Sequence, residues 1–345
     1  MNSGGKDFDQ PVAGPKPESA WADNQMNTHH LLCAETALAT RHLVVIKKGI
    51  QKKGHFMRAT RVLLATAVAS VTIVTMFPSS APASHSWGTP PYHWARTANP
   101  FTLKLGDNVS GAWDLYLTNA SSDWSLTPPG PLPKVLNTTV VAGNAGSRCK
   151  PTAGRVEVCA KSYGSNGWLG LAQIWISGSH ITQGTTKMND TYFLTSTYDK
   201  PEWRSLVMCQ EVGHTFGLGH QDENFANANL GTCMDYTNSP STNQHPNAHD
   251  FEQLSTIYGG HLDSTTTLAA TPASVGQGTF DTPETWGRKT HSSNAGKHEQ
   301  FERDLGNGNL IITEVIWVDD TLLGNGDGKN DRGKADGDRG NGNRG

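Results

Sequence analysis

Apolar positions divide the chain into regimes. Residues 62–77 form an apolar run broken only by Ser and Thr, residues 84–261 carry interrupted apolar patterns, and residues 324–345 contain almost none. In the middle regime, Arg155-Val156-Glu157-Val158-Cys159 and Gly170-Leu171-Ala172-Gln173-Ile174-Trp175-Ile176 read as strands, and Asp190-Thr191-Tyr192-Phe193-Leu194 as a further one. Trp203, Leu206, Val207, Gln210 and His214 recur at helical steps, and Asp199, Pro201 and Glu202 suit a first turn. A helix is therefore predicted there, stopping at Gly217, where the chain can turn with positive φ. A second helix is predicted over 249–258, with Phe251, Leu254 and Ile257 on one face, Asn247 as N-cap and Gly259-Gly260 as its stop.

Other stretches are less regular. Residues 108–133 are rich in turn formers, 264–283 read as a Thr/Ala/Gly linker, and 301–318 as one or two added strands. The stretch 324–345 of Gly, Asn, Asp, Lys and Arg cannot bury a core and is expected to be disordered. Its Asp-Gly pairs lack the ligand spacing of a calcium loop.

The apolar run has the form of a secretory signal. Arg58 and Arg61 precede it, and Ala81-Pro82-Ala83 supplies small residues for cleavage, so a mature start near Ser84 is expected. Met57 stands immediately before Arg58, which makes it the expected start and residues 1–56 a non-native extension; an uncleaved signal anchor is the competing reading. The divisions that follow are 1–56 extension, 57–83 signal peptide, 84–262 folded domain, 263–285 linker, 286–320 small β extension and 321–345 tail.

Composition narrows the class. Of 345 residues, 17% are charged and 35% apolar, which tells against a coiled coil or charged bundle and suits a loop-rich fold. A formal net charge of −3 recruits neither nucleic acid nor an anionic membrane through bulk charge. Starting at Met57 removes Cys33 and leaves Cys149, Cys159, Cys209 and Cys233, an even set in a chain bound for an oxidising compartment. No pair has the spacing of a structural zinc tetrad, so disulfides are expected, with Cys149 and Cys159 bracketing a turn as a local hairpin bridge. The sequons at Asn108, Asn119, Asn137 and Asn189 are expected in exposed turns.

The chemistry concentrates in Cys209-Gln210-Glu211-Val212-Gly213-His214-Thr215-Phe216-Gly217-Leu218-Gly219-His220, followed by Gly231-Thr232-Cys233-Met234-Asp235-Tyr236. Residues 210 and 214 share a helix face, Glu211 is offset beside it, and Gly217 breaks the helix so that His220 can return from a loop. This resembles the metzincin pattern HExxHxxGxxH with its Met-turn, with Gln210 where the first histidine is expected. The resemblance is closest to matrixin-like secreted zinc proteases and covers residues 87–260, including 249–259 as the closing helix of the catalytic domain.

That resemblance implies an α+β zincin fold with a twisted mixed sheet, an active-site helix and a small C-terminal subdomain. It implies an extended substrate lying antiparallel to an edge strand, for which residues 170–176 or their neighbour are the candidate. Carried over residue by residue, His214 and His220 match zinc ligands, Glu211 the general base, Met234 the floor of the site and Tyr236 an oxyanion donor. It also implies a bridge from Cys209 to Cys233, tying helix to Met-turn. No cysteine-switch propeptide precedes the domain.

The expected function is a secreted, monomeric zinc endopeptidase acting on protein or peptide, touching a membrane only through an uncleaved signal. Gln210 leaves three readings open, since an amide oxygen is a weaker zinc donor than imidazole. It coordinates through that oxygen, another residue replaces it, or the site has lost metal and serves a binding module. His180, Asp222, His245 and His249 are the substitutes considered, the three histidines also being readable as surface or capping residues.

Overall fold

The computed structural model describes residues 85–225, 227–266, 280–293 and 296–319, all within the unit Phe77–Gly345. The apolar run, Met57, the cleavage triplet, Cys33 and the tail lie outside the described residues, as does most of the linker. Among the described residues no helix is long and apolar enough to cross a membrane.

The architecture is α+β, with one large mixed sheet and few helices. The strands are β1 (His93–Trp94), β2 (Phe101–Asn108), β3 (Leu136–Ala142), β4 (Val156–Lys161), β5 (Trp168–Ser177) and β6 (His180–Asn189), followed by β7 (Arg288–Ser292), β8 (His298–Gly306) and β9 (Asn309–Trp317). Their order is β3-β2-β4-β6-β5-β9-β8-β7, with β1 paired to β6. Contacts from β3 through β6 are parallel, and those from β6 through β7 antiparallel.

The helices are α1 (Asp114–Trp124), α2 (Asp190–Phe193), α3 (Pro201–His214), α4 (Ala248–Tyr258) and α5 (Pro283–Trp286). The main core includes Trp113, Trp124, Val158, Ile174, Val207, Val212, Phe216 and Met234, among the buried side chains of α1, α3 and one face of the sheet. The other face of the antiparallel half has its own core, where Trp168, Leu171, Trp286, Phe301, Val315 and Trp317 meet. With both faces covered, β5 is buried along nearly its whole length, which is why its sequence reads as an apolar run rather than an alternation.

Local signals predicted several of these elements. Pro201 stands in the first turn of α3 and Glu202 favours the positive end of its dipole. Gly217 takes φ +91° just beyond the helix end. In α4, the Asn247 side chain accepts from the N–H groups of His249 and Asp250, while Asp250 accepts from the Asn247 N–H, a reciprocal capping box.

Other expectations are corrected. Residues 190–193 form the single turn α2 rather than a strand, because Asn189 ends β6 and its side chain caps the turn by accepting from the Thr191 N–H. The turn-rich stretch 108–133 contains α1, which buries Leu117, Ala120 and Trp124. Cys149 and Cys159 are joined, yet not across a hairpin: Cys149 follows a short 3-10 turn, and β4 has parallel neighbours on both sides. Asn189 is fully buried, and Asn108 and Asn137 lie in strands; Asn119 is exposed, but on α1.

The largest correction concerns the C-terminal part. Residues 301–318 carry two strands, as expected, but a third, β7, precedes them, and all three extend the main sheet. β9 pairs antiparallel with β5 from Trp168↔Trp317 to Ser177↔Asn309, so β5 is not an edge. Burying Ile312, Val315 and Ile316 against the existing cores gives this pairing its hydrophobic drive.

Candidate functional site

The α3 helix delivers Glu211 and His214 into the interior, and the break at Gly217 brings His220 back beside them. The His214 and His220 rings lie 4.5 Å apart, centroid to centroid. The Nδ1 of His214 is 2.8 Å from the Leu218 carbonyl, which holds the ring and directs Nε2 away. Trp87 stacks on the same imidazole at 5.3 Å. Behind the helix, a Cβ placed on Gly213 would come within 2.8 Å of the Met234 sulfur, so Met234 and α3 pack at minimal separation. The disulfide from Cys209 to Cys233 joins this helix to the loop carrying Met234.

Glu211 sits against β5. A Cβ on Gly170 would meet its Oε1 at 2.7 Å, so glycine there leaves room for the carboxylate. Tyr236 reaches the site from beyond the Met234 loop, its ring 4.2 Å from that of His220.

Register adds two residues that sequence reasoning missed. Antiparallel partners share a sheet face, and Gly170 is opposite Ile316, which is opposite His298. One row along, Ala172 is opposite Glu314, which is opposite Gln300. His298 and Glu314 therefore share the face against which Glu211 packs. The His298 ring stacks on Tyr236 at 3.8 Å and lies 4.6 Å from His220. Glu314 Oε1 is 3.7 Å from His220 Nδ1. The one sequence hint was Glu314 itself, a carboxylate set among Ile, Thr and Val in an apolar strand; nothing local marks His298.

The polar atoms of this cluster are conspicuously unsatisfied. His214 Nε2, His220 Nε2, His298 Nδ1, both oxygens of Glu211, Glu314 Oε2, Tyr236 Oη and Gln210 Oε1 are buried without a hydrogen-bond partner. Each such group costs about 1–3 kcal/mol, so their convergence calls for a ligand that satisfies them together. Burial, reinforced by the Glu314 charge, holds Glu211 well above the usual carboxylate range. Burial also lowers His214 to about 4 and pushes His220 and His298 well down, keeping the imidazoles neutral, the form that binds metal. The ligand atoms of His220, His298 and Glu314 lie within 4.8 Å of one another, and these buried groups could hold a metal ion.

Gln210 is buried on α3 and lines a small cavity with His298, Phe225 and Asp235. The substitutes considered for it lie elsewhere. His180 bonds Asp263 at 3.1 Å, His245 pairs with Asp123 at 2.7 Å, and Asp222 accepts from the Asn224 N–H at 2.6 Å. His249 bonds His85 at 2.8 Å. A cavity of about 230 Å³, lined in part by His85, Trp87, His220, Glu223 and Glu314, borders the cluster.

A second grouping, His93, His261 and Asp263, also meets metal-ligand distances. Its atoms have partners: His93 Nδ1 bonds the Pro91 carbonyl at 2.8 Å, and Asp263 accepts from the Arg96 backbone and guanidinium at 3.0 and 3.1 Å. No protein-family model matches the chain, and no curated protein matches it.

Proposed function

We propose that the chain is a secreted zinc-dependent endopeptidase of the matrixin-like metzincin kind. The observation that carries this reading is the convergence, in the buried interior, of unpartnered His214 and His220 nitrogens with the unpartnered Glu211 carboxylate. Spacing along one helix and its following loop assembled that set, as the resemblance implies. The two disulfides support an extracellular setting.

His214 and His220 would hold the zinc, and their neutral imidazoles with outward-facing Nε2 atoms fit it. Bound zinc supplies Lewis-acid polarisation of the scissile carbonyl and acidifies water. Glu211, beside the two histidines, would accept a proton from the attacking water and pass it to the departing amine. Tyr236, whose hydroxyl has no partner in the interior, donates a hydrogen bond to the developing oxyanion. Met234 and the Cys209–Cys233 bridge keep helix and floor in register.

One observation favours a second reading, a zincin-fold binding module that does not cut. The outer edge of β5, where an extended peptide would add, already carries β9. Metal analysis of the purified protein and casein hydrolysis separate the two. The peptidase reading expects bound zinc and hydrolysis that disappears in Glu211→Ala; a zinc-replete parent with no Glu211-dependent casein hydrolysis under any condition would overturn it.

A further inference from the structure

The site has two motif imidazoles where the resemblance calls for three, because residue 210 is glutamine. The hairpin of β8 and β9 brings another to the same place. His298 is 3% exposed and Glu314 2% exposed, so neither side chain is open to bulk solvent. Stacking on Tyr236 accounts for the position of the His298 ring but leaves its Nδ1 unpartnered. Glu314 reaches the same place from the neighbouring row, its Oε1 3.7 Å from His220 Nδ1 and its Oε2 unpartnered.

We infer that His298 and Glu314 are metal ligands, completing with His214 and His220 a site of three imidazoles and one carboxylate. The assignment of the two motif histidines rests on the peptidase reading; that of the hairpin residues rests on register, burial and the unpartnered atoms. The mutual approach of the His220, His298 and Glu314 donors, within 4.8 Å, compares with roughly 3.4 Å between donors of a tetrahedral zinc having bonds near 2.0–2.1 Å.

Four protein donors make a closed site, whereas a catalytic zinc keeps a position open. The hairpin that closes the metal also covers β5, the strand a peptide would join. With the hairpin docked the enzyme is therefore at rest, and hydrolysis requires β9 to leave. Gln210, in this arrangement, lines the site without binding the metal.

The test uses the full chain, stripped of metal and titrated with zinc against a competing chelator, with circular dichroism confirming the fold of each variant. Outer-shell losses commonly weaken metal binding about 10–100-fold, so His298→Ala, which removes a ligand, should weaken it by about 100-fold or more. Glu314→Gln should weaken it by at least about tenfold, and Gln210→Ala by less than about twofold. Hydrogen exchange of the unmodified chain gives a reading independent of any variant: zinc should slow the amides of His298–Gly306 and Asn309–Trp317. Unchanged affinity in folded His298→Ala, or hairpin exchange indifferent to bound zinc, overturns the assignment, as does a parent that binds no zinc. Zinc lost in His298→Ala with no Glu211-dependent hydrolysis under any condition would leave this assignment standing and remove the peptidase reading. Zinc held through His214 but indifferent to His298 would do the reverse.

Discussion

Around Asp263, imidazoles and a guanidinium satisfy one another; around His220, imidazoles and carboxylates leave buried polar atoms without a partner. Arg96 binds Asp263 through backbone and side chain and also bonds the carbonyls of Tyr258 and His261. His180 and His93 complete that network. The second cluster has comparable residues, deeper burial and orphaned donors and acceptors. The difference teaches that histidines and carboxylates in proximity do not define a chemical centre. What distinguishes the His220 cluster is polar capacity left unused in a place where leaving it unused is costly.

The largest expected effect lies on the chemistry. Glu211→Ala should lower casein hydrolysis by about 10²–10⁴ while leaving zinc bound, since loss of a general base commonly costs that factor. His261→Ala, in the satisfied cluster, should alter neither hydrolysis nor zinc content. Equal effects from the two substitutions would erase the distinction between the clusters.

Loss of covalent support should have the next largest effect. The Cys209–Cys233 bridge closes a loop with sequence separation 24, for which the chain-entropy model gives about 3.5 kcal/mol. Replacing both cysteines with serine should lower unfolding stability by about that amount in urea and weaken zinc binding. The hydrogen bonds around Asp263 should be unaffected, because this bridge does not restrain them.

At the satisfied cluster the signature is pH. Burial pushes Asp263 up, but the Arg96 N–H, His180 and His93 outweigh it and hold the carboxyl below its usual value of 3.8. A depressed folded-state value means that the stabilisation is present above 3.8 and is lost as pH falls through the depressed value. Asp263→Asn should therefore cost about 2 kcal/mol at pH 7, and the cost should shrink below pH 3.8. Thermal unfolding of parent and variant across that range measures it; a cost independent of pH would show that the charge is not what the cluster uses.

The smallest effect should come from α4, which reaches both regions. Asn247 at its start bonds Gln221, next to His220, and Tyr258 at its end accepts from Arg96 and Asn99. Asn247→Ala should cost about 1 kcal/mol, the usual value of an N-cap. A loss several times larger would mean that the cap also fixes the His220 loop.

Much of the candidate site was legible because its residues obey one-dimensional rules. The four-residue step from Gln210 to His214, the helix break at Gly217 and the return of His220 depend on helix geometry and one turn. The Asn247 cap was legible for the same reason. Residues 190–194 were misread because their apolar pattern is too short to separate strand from helix, and the Asn189 side chain decided it. Helix α1 was missed because its turn-forming composition masked the buried stripe of Leu117, Ala120 and Trp124.

By itself, the sequence determined which donors one helix and its loop would present, because side chains three or four residues apart on a helix must share a face. It also determined that the first donor position carries an amide. Only the tertiary structure decided that β9 lies on β5 and that His298 and Glu314 face Glu211. A strand has two edges and no local feature that names its neighbour; partner and register follow from which pairing buries the most apolar surface on both faces of the sheet at once. A one-residue slip of β9 would turn Glu314 to the opposite face, so the composition of this centre is a consequence of long-range register.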